Sequence, residues 1–151
     1  MKTQISVLKK SRELVVKAIH GLSLEQIHTI PMGFKNNIAW NAAHLVVTQQ
    51  LLHYKLSGLN CLVPDDLISG YRKSTVPTKA FTEGEFEGIK ELLTGLPETL
   101  EEDYNAGIFK SYQEYPTSTG FVLTDIETAI SFNNFHEGIH LGIIMAIKKL
   151  I

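Results

Sequence analysis

The stretch of sequence that decides the fold is residues 124–149, which read TDIETAISFNNFHEGIHLGIIMAIKK. Apolar side chains recur through it at helical intervals, and Thr124 with Glu127 has the spacing of a capping box at its start. The basic pair Lys148 and Lys149 suits a helix C-terminus. We therefore predict one long helix here, whose apolar stripe needs other helices to pack against.

Three more segments show the same helical period. The first covers about residues 3–20, the second about residues 36–57, and the third begins with the capping-box pair Thr82 and Glu85. Pro97 is expected to kink or break the third helix, because proline lacks the amide donor and disfavours helix at the residue before it.

The remaining segments predict connections rather than helices. Residues 58–81 show no sustained period and predict a long connection, and residues 104–121 predict an ordered aromatic loop with a short hairpin. No segment shows the alternation of a convincing long strand, and no repeat is present. The sequence therefore predicts an all-α fold, a four-helix bundle with a long crossover connection, in a single domain over residues 1–151.

Composition narrows the classes of function. The formal net charge of -2, from 14 basic and 16 acidic side chains, gives no positive excess for a nucleic-acid partner. The one cysteine, Cys61, cannot form an internal disulfide and is expected to be a small buried hydrophobe. We find no apolar run of membrane length and no signal-peptide pattern, so we expect a cytoplasmic protein with no membrane partner.

Two histidines in the last helix predict a metal site. His136 and His140 are four residues apart, so both imidazoles leave one face of the helix about one turn apart. The pentad HEGIH also matches the H-E-x-x-H pattern of zinc proteases. We discount a protease, because only 11 residues follow His140 and offer no downstream third ligand, and we expect Glu137 to face solvent.

The third ligand has to come from another helix. His44 lies mid-helix in an apolar setting, where an unpaired polar side chain is costly. His53 is nine residues further on, about half a rotation round that helix, so we expect it to be exposed. His20 at a helix end and His28 in a loop are interpreted as structural or solvated. His44 is therefore the best candidate to join the pair on the last helix.

Other polar residues lie on predicted apolar faces. Asn37 precedes His44 by seven residues and Asn133 precedes His140 by seven, so each amide either hydrogen-bonds an imidazole or serves as a cap or packing group. Arg12 falls on the apolar stripe of the first helix. The favoured interpretation is that it extends along its aliphatic stem to the surface, and the alternative is that it supplies a cation to an interior site.

Two motifs resemble those of one known family. Residues 36–45, NNIAWNAAHL, match a pattern N-x-I-x-W-x-x-x-H-L, and His136, His140 and Gly142 match H-x-x-x-H-x-G. In this order, and over nearly the whole chain, they resemble the DinB-like (DinB/YfiT-like) family of metalloenzymes. Ile143 stands where many members have glutamine, which removes any polar contact from that position.

The resemblance implies a fold and a metal centre. It implies a four-helix bundle with a long crossover, in which the residues corresponding to His44, His136 and His140 hold a divalent metal ion. Three imidazoles with open coordination positions suit zinc, nickel, copper, manganese or ferrous iron. The resemblance also makes Asn37, Trp40 and one aromatic of the loop, Tyr112 or Tyr115, together with Asn133, candidate pocket residues.

The resemblance implies a class of reaction without fixing it. Characterised relatives include transferases and isomerases that use small thiols such as bacillithiol, mycothiol or glutathione. The leading hypothesis is a thiol-dependent transferase acting on a small-molecule substrate such as an epoxide or an alkyl chloride. The alternatives are a metal-dependent hydrolase and a non-catalytic, stress-related dimer that binds metal or ligand. Relatives often dimerise, so a homodimer is expected, and apolar residues around Leu51, Leu52 and Tyr54 suit an interface as well as a core.

Overall fold

A computed structural model describes all of residues 1–151. The chain forms six α-helices and one two-stranded antiparallel hairpin. The elements are α1 Lys2–Ile19, α2 Leu24–His28, α3 Ile38–Gln49, α4 Asp65–Tyr71, α5 Glu83–Asn105, β1 Tyr115–Pro116, β2 Val122–Leu123 and α6 Ile126–Lys148. The predicted all-α fold is confirmed.

The four long helices α1, α3, α5 and α6 form the bundle. Both α1 and α3 pack against α5 and α6, so α1 lies diagonally opposite α3 and α5 lies diagonally opposite α6. The largest group of buried apolar residues fills the space between them and centres on α3, with Ile38, Leu45 and Val47 fully buried. Burial of this apolar surface is the main force that holds the helices together.

Local sequence signals set most of the helix ends. Ser23 caps α2 and Thr82 caps α5, each in a complete capping box. The box of α6 consists of Asp125 and Thr128, one residue beyond the predicted pair Thr124 and Glu127, so that prediction was wrong by one position. The Asp125 carboxylate accepts from the Thr128 amide at 2.7 Å, which is a stronger cap than a neutral hydroxyl provides.

Helix α3 is followed directly by two irregular helical turns. α3 continues through a π turn at Gln50–Tyr54 and a 3-10 turn at Lys55–Ser57 before it ends. Gly58 then adopts a left-handed conformation with φ of 73°, which glycine accepts without strain, and it stops the helix as predicted.

Two predictions need correction, one about the crossover and one about Pro97 in α5. The crossover after Gly58 contains the short helix α4, Asp65–Tyr71, within a segment that showed no sustained period. α5 runs without a break through Pro97, and Leu93, Leu96 and Leu100 are buried on both sides of the proline. Packing there outweighs the missing amide donor.

The aromatic segment forms the predicted hairpin. Tyr115 pairs with Leu123 and Pro116 pairs with Val122. In the turn between the strands, the Thr117 amide donates to the Phe121 carbonyl and the Gly120 amide donates to the Thr117 carbonyl. None of the helices is both long enough and apolar enough to cross a membrane. Cys61 is half-buried rather than fully buried, and burial raises the pKa of its thiol.

His53 is fully buried, which contradicts its predicted exposure. The prediction assumed that the face opposite His44 meets solvent, whereas α3 is buried almost all round and the π turn that carries His53 packs against α6. Burial, assisted by the charge of Arg12, lowers the pKa of His53 to about 3. The imidazole is therefore neutral in the folded protein.

The depressed pKa of His53 predicts that stability falls in mild acid. Between the ordinary histidine pKa near 6.5 and the folded value of about 3, the unfolded chain binds the proton and the folded chain does not, so stability is lost as pH falls through this window. Lowering pH from about 7.5 to about 5 should cost about 2 kcal/mol from this residue alone. His53→Leu should reduce the loss by that amount, as measured by urea unfolding at both pH values.

A matched control for this experiment is His20→Gln, which changes an exposed histidine at the end of α1. It should leave the pH dependence of unfolding as it is in the unmodified protein. Equal pH dependence in the His53→Leu variant and the unmodified protein would contradict the prediction.

Candidate metal centre

Three histidines from two helices meet at one place in the bundle. His44 comes from α3, and His136 and His140 come from successive turns of α6. One nitrogen of each imidazole lies within 4.8 Å of those of the other two. The ring centroids are 4.4 Å apart for His136 and His140, and 4.7 and 5.2 Å from His44 to His140 and His136. The structure thus brings together the three residues that the sequence singled out.

The ring of His44 is held by two neighbours. Its Nδ1 donates to the Tyr71 carbonyl at 2.6 Å, and its face stacks on the Trp40 indole at a centroid distance of 4.5 Å and an interplanar angle of 12°. Because a carbonyl only accepts, Nδ1 carries the proton and Nε2 keeps its lone pair. The Thr48 hydroxyl lies 3.3 Å from that Nε2.

The ring of His140 is held by the side-chain amide of Asn41, which is itself held by a backbone carbonyl. Its Nδ1 donates to Asn41 Oδ1 at 2.7 Å, and Asn41 Nδ2 donates to the Asn37 carbonyl at 2.7 Å. The second bond sets which end of the Asn41 amide faces the imidazole, since only the NH₂ group donates. Nε2 of His140 is therefore also left with a free lone pair, as ligation of a metal requires.

All three imidazoles are held in the neutral form. Burial lowers the pKa of His136 to about 2, assisted by the charges of His140 and His44, and burial with the charge of His44 lowers the pKa of His140 to about 4. Burial also lowers the pKa of His44. His136 Nδ1 is buried and has no hydrogen-bond partner in the protein. Three neutral nitrogen donors within 4.8 Å of one another form a set that can hold a divalent metal ion.

The histidines form part of the wall of a cavity of about 490 Å³. Its apolar wall includes Leu52, Leu56 and Ile139, and the tip of the β1–β2 hairpin closes another side. The cavity falls within the size range of small-molecule sites. Space for a small molecule therefore lies directly next to the imidazoles.

A comparison with family models identifies the chain. The model described as the DinB superfamily matches residues 8–144, which include all three histidines. The chain belongs to the DinB superfamily. The resemblance found in the two sequence motifs is thereby confirmed, and no curated protein matches the chain significantly.

Other predicted pocket residues of this DinB protein lie apart from the imidazoles. Asn37 caps α3 by accepting from the Trp40 amide at 2.8 Å, and Asn133 donates to Glu137 at 3.3 Å, so both belong to the structural alternative. Tyr112 donates to the Leu52 carbonyl. Tyr115, by contrast, lines the cavity.

Sequence reasoning missed two residues that orient the imidazoles. Asn41 has the signal of a polar side chain within an apolar stretch of α3, on the same side as Asn37 one turn earlier. Tyr71 acts through its backbone carbonyl, which carries no sequence signal at all. His20 and His28 are structural or solvated as expected, since His20 is exposed and His28 accepts from the Phe81 amide.

Arg12 and Glu137 form a buried ion pair, which corrects two predictions. Arg12 Nε and Nη2 donate to the two Glu137 carboxylate oxygens at 2.7 and 2.8 Å, and both side chains are fully buried. Arg12 therefore does not extend to the surface, and Glu137 does not face solvent. The face of α6 that carries Glu137 points into the bundle, where Arg12 also donates to the Leu45 carbonyl and to Gln49.

This pairing gives the H-E-x-x-H match a structural meaning. Both oxygens of Glu137 are occupied by Arg12, and the residue is absent from the wall of the cavity. Glu137 is thus not placed to act as a general base on a molecule in the cavity, in agreement with the rejection of a protease.

Breaking the ion pair should destabilise the protein strongly. Glu137→Gln leaves the Arg12 guanidinium buried without a counter-charge, and the free energy of unfolding should fall by about 3–5 kcal/mol. Replacing both partners, in Arg12→Met with Glu137→Leu, should recover most of that loss because no charge stays buried. Urea unfolding with a chelator present measures both effects independently of any bound metal.

The control is Glu13→Gln, which removes an exposed partner of Lys10 and should change stability little. The prediction fails if Glu137→Gln is as stable as the control variant.

Proposed function

We propose that His44, His136 and His140 bind one divalent metal ion and that the protein is a thiol-dependent transferase. The observation that carries the proposal is that three neutral imidazoles border a cavity whose accessible wall is more apolar than polar. Three protein ligands leave coordination positions open, which is typical of catalytic rather than structural metal sites. Membership of the DinB superfamily supports the same direction.

The metal ion would supply a positive centre that favours the deprotonated form of a thiol at neutral pH. The chain's own residues prepare the site. Trp40 and the Tyr71 carbonyl hold the ring of His44, and Asn41 holds the ring of His140, so the two lone pairs need no reorganisation.

The protein does not offer a thiol of its own. Cys61 is not part of the cavity wall, and burial raises the pKa of its thiol, which disfavours the reactive thiolate. The nucleophile therefore has to be a small molecule. In the proposed reaction with an epoxide, the sulfur–carbon bond forms as the carbon–oxygen bond of the ring breaks, and the thiol proton ends on the released oxygen.

The metal proposal predicts about one divalent ion per chain after loading with zinc, nickel or manganese and removal of excess metal. His44→Ala and His140→Ala should each abolish stable binding, because two imidazoles do not hold the ion against a competing chelator. Elemental analysis gives the stoichiometry, and circular dichroism shows that the helices are intact. His20→Ala serves as the matched control and should bind as the unmodified protein does.

The same experiment measures how much Asn41 contributes to metal affinity. Asn41→Ala keeps all three ligands and loses only the bond that orients His140, so metal affinity should fall by about 10-fold or more without being abolished. A chain that binds none of the three metals would refute the metal proposal.

The transferase proposal predicts metal-dependent joining of a small thiol to an electrophile. The zinc- or nickel-loaded protein should form a thioether from bacillithiol or glutathione and an aryl epoxide, detected by mass spectrometry, at a rate that His44→Ala reduces to background. Cys61→Ser should leave the rate unchanged, since the protein's thiol takes no part.

Other outcomes point to the alternatives. Hydrolysis of esters by the metal-loaded protein without thioether formation would replace the transferase by a hydrolase. Metal bound at about one ion per chain with neither activity would favour a non-catalytic binding protein. A homodimer is proposed for any of these functions, and sedimentation of the metal-loaded protein tests it.

A further inference from the structure

Two lysines give the cavity an unbalanced positive charge. Lys55, in the 3-10 turn after α3, and Lys73, in the turn after α4, both line it. No aspartate or glutamate lines the cavity. This is unexpected in a chain with a net charge of -2, in which acidic residues outnumber basic ones.

Both lysines are exposed to solvent. Neither has a carboxylate within ion-pair distance, whereas Lys9, Lys79 and Lys90 all do. Asp65 lies in a neighbouring cavity that Lys55 also borders, without forming an ion pair with it. Two cations in one concave site, with no anion to offset them, attract an anion and raise its local concentration.

The rest of the wall has a different character. Leu52, Leu56, Phe132 and Ile139 supply apolar surface next to the histidines, and the accessible wall is more apolar than polar. The hydroxyls of Thr48 and Tyr115 add hydrogen-bond donors.

We propose that the cavity selects small molecules that combine an apolar body with one carboxylate. The carboxylate is bound by Lys55 and Lys73, and the body lies against the apolar wall with its far end towards His136 and His140. The inference rests on the proposed function only in that the cavity is taken as the substrate site, and it names the class of substrate that the site accepts.

The test compares three molecules of equal chain length, octanoate, octan-1-ol and octylamine, by titration calorimetry on the full-length protein. It is made once with metal removed and once with zinc loaded. Octanoate should bind more tightly than octan-1-ol, and octylamine should bind most weakly, in the metal-free as well as the zinc-loaded protein. Added salt should weaken the binding of octanoate and leave that of octan-1-ol nearly unchanged.

Variants assign the preference to the two lysines. Lys55→Gln and Lys73→Gln should each weaken octanoate binding by about two- to fivefold, as expected for one solvent-accessible ion pair, and should leave octan-1-ol binding unchanged. Lys35→Gln is the matched control, because Lys35 is also exposed and unpaired but lies outside the cavity wall. It should bind octanoate as the unmodified protein does.

Two results would overturn the inference. One is equal affinity for octanoate and octan-1-ol, and the other is octanoate binding that needs zinc and does not respond to either lysine variant. Failure of the metal or transferase proposal leaves the metal-free comparison intact. Conversely, loss of the carboxylate preference does not affect metal stoichiometry, so the two failures are distinguishable.

Discussion

The buried pair of Arg12 and Glu137 is the interaction on which the arrangement of the bundle depends. Two full charges in a low-dielectric interior are tolerated only if each is matched by hydrogen bonds, and here the carboxylate takes two bonds from the guanidinium and a third from Asn133. The guanidinium also donates to the Leu45 carbonyl of α3. The ion pair therefore ties α1 to α6, and the guanidinium's bonds to neutral acceptors add α3, so a rotation of α1 or α6 would leave a charge unpaired.

That constraint also sets the direction of the metal ligands. Successive residues of a helix are about 100° apart. Glu137 therefore lies about 100° round α6 from His136 and about 60° from His140. With Glu137 fixed on Arg12, His136 and His140 have to face the cavity rather than the ion pair, where they meet His44. The pentad HEGIH thus contains two faces with separate tasks, and the glutamate supports the ligands by holding the helix rather than by touching a substrate.

Helical period and capping residues were enough to predict the four long helices, because these signals are local. The three ligands could be chosen for a related reason, since spacing places two on one face of α6 and His44 was the remaining histidine in an apolar setting. The favoured interpretation of Arg12 and the predictions for Glu137 and His53 failed because all three assumed that a polar residue faces water. In this bundle α3 is buried almost all round, so polar groups inside it are paired with each other or kept neutral. Which pairs form depends on contacts more than 100 residues apart, as between Arg12 and Glu137, and no local pattern encodes them.

The division between helices and connections also separates two kinds of task at the site. The nitrogen donors and the side chains Trp40 and Asn41 come from regular helices, whose backbone bonds hold them in fixed positions. The two lysines come from turns after α3 and α4, and the hairpin supplies another part of the wall. Turns accept changes of sequence with less effect on packing than helix interiors do, because fewer buried contacts depend on them. The turn after α4 is an exception to this rule. It lies between Tyr71, whose carbonyl orients His44, and Thr75, whose hydroxyl accepts from the Trp40 indole. The same turn presents Lys73. A change in the length of this turn would therefore alter ligand geometry and substrate contacts together, whereas a change of side chain at Lys73 alters only the substrate contact.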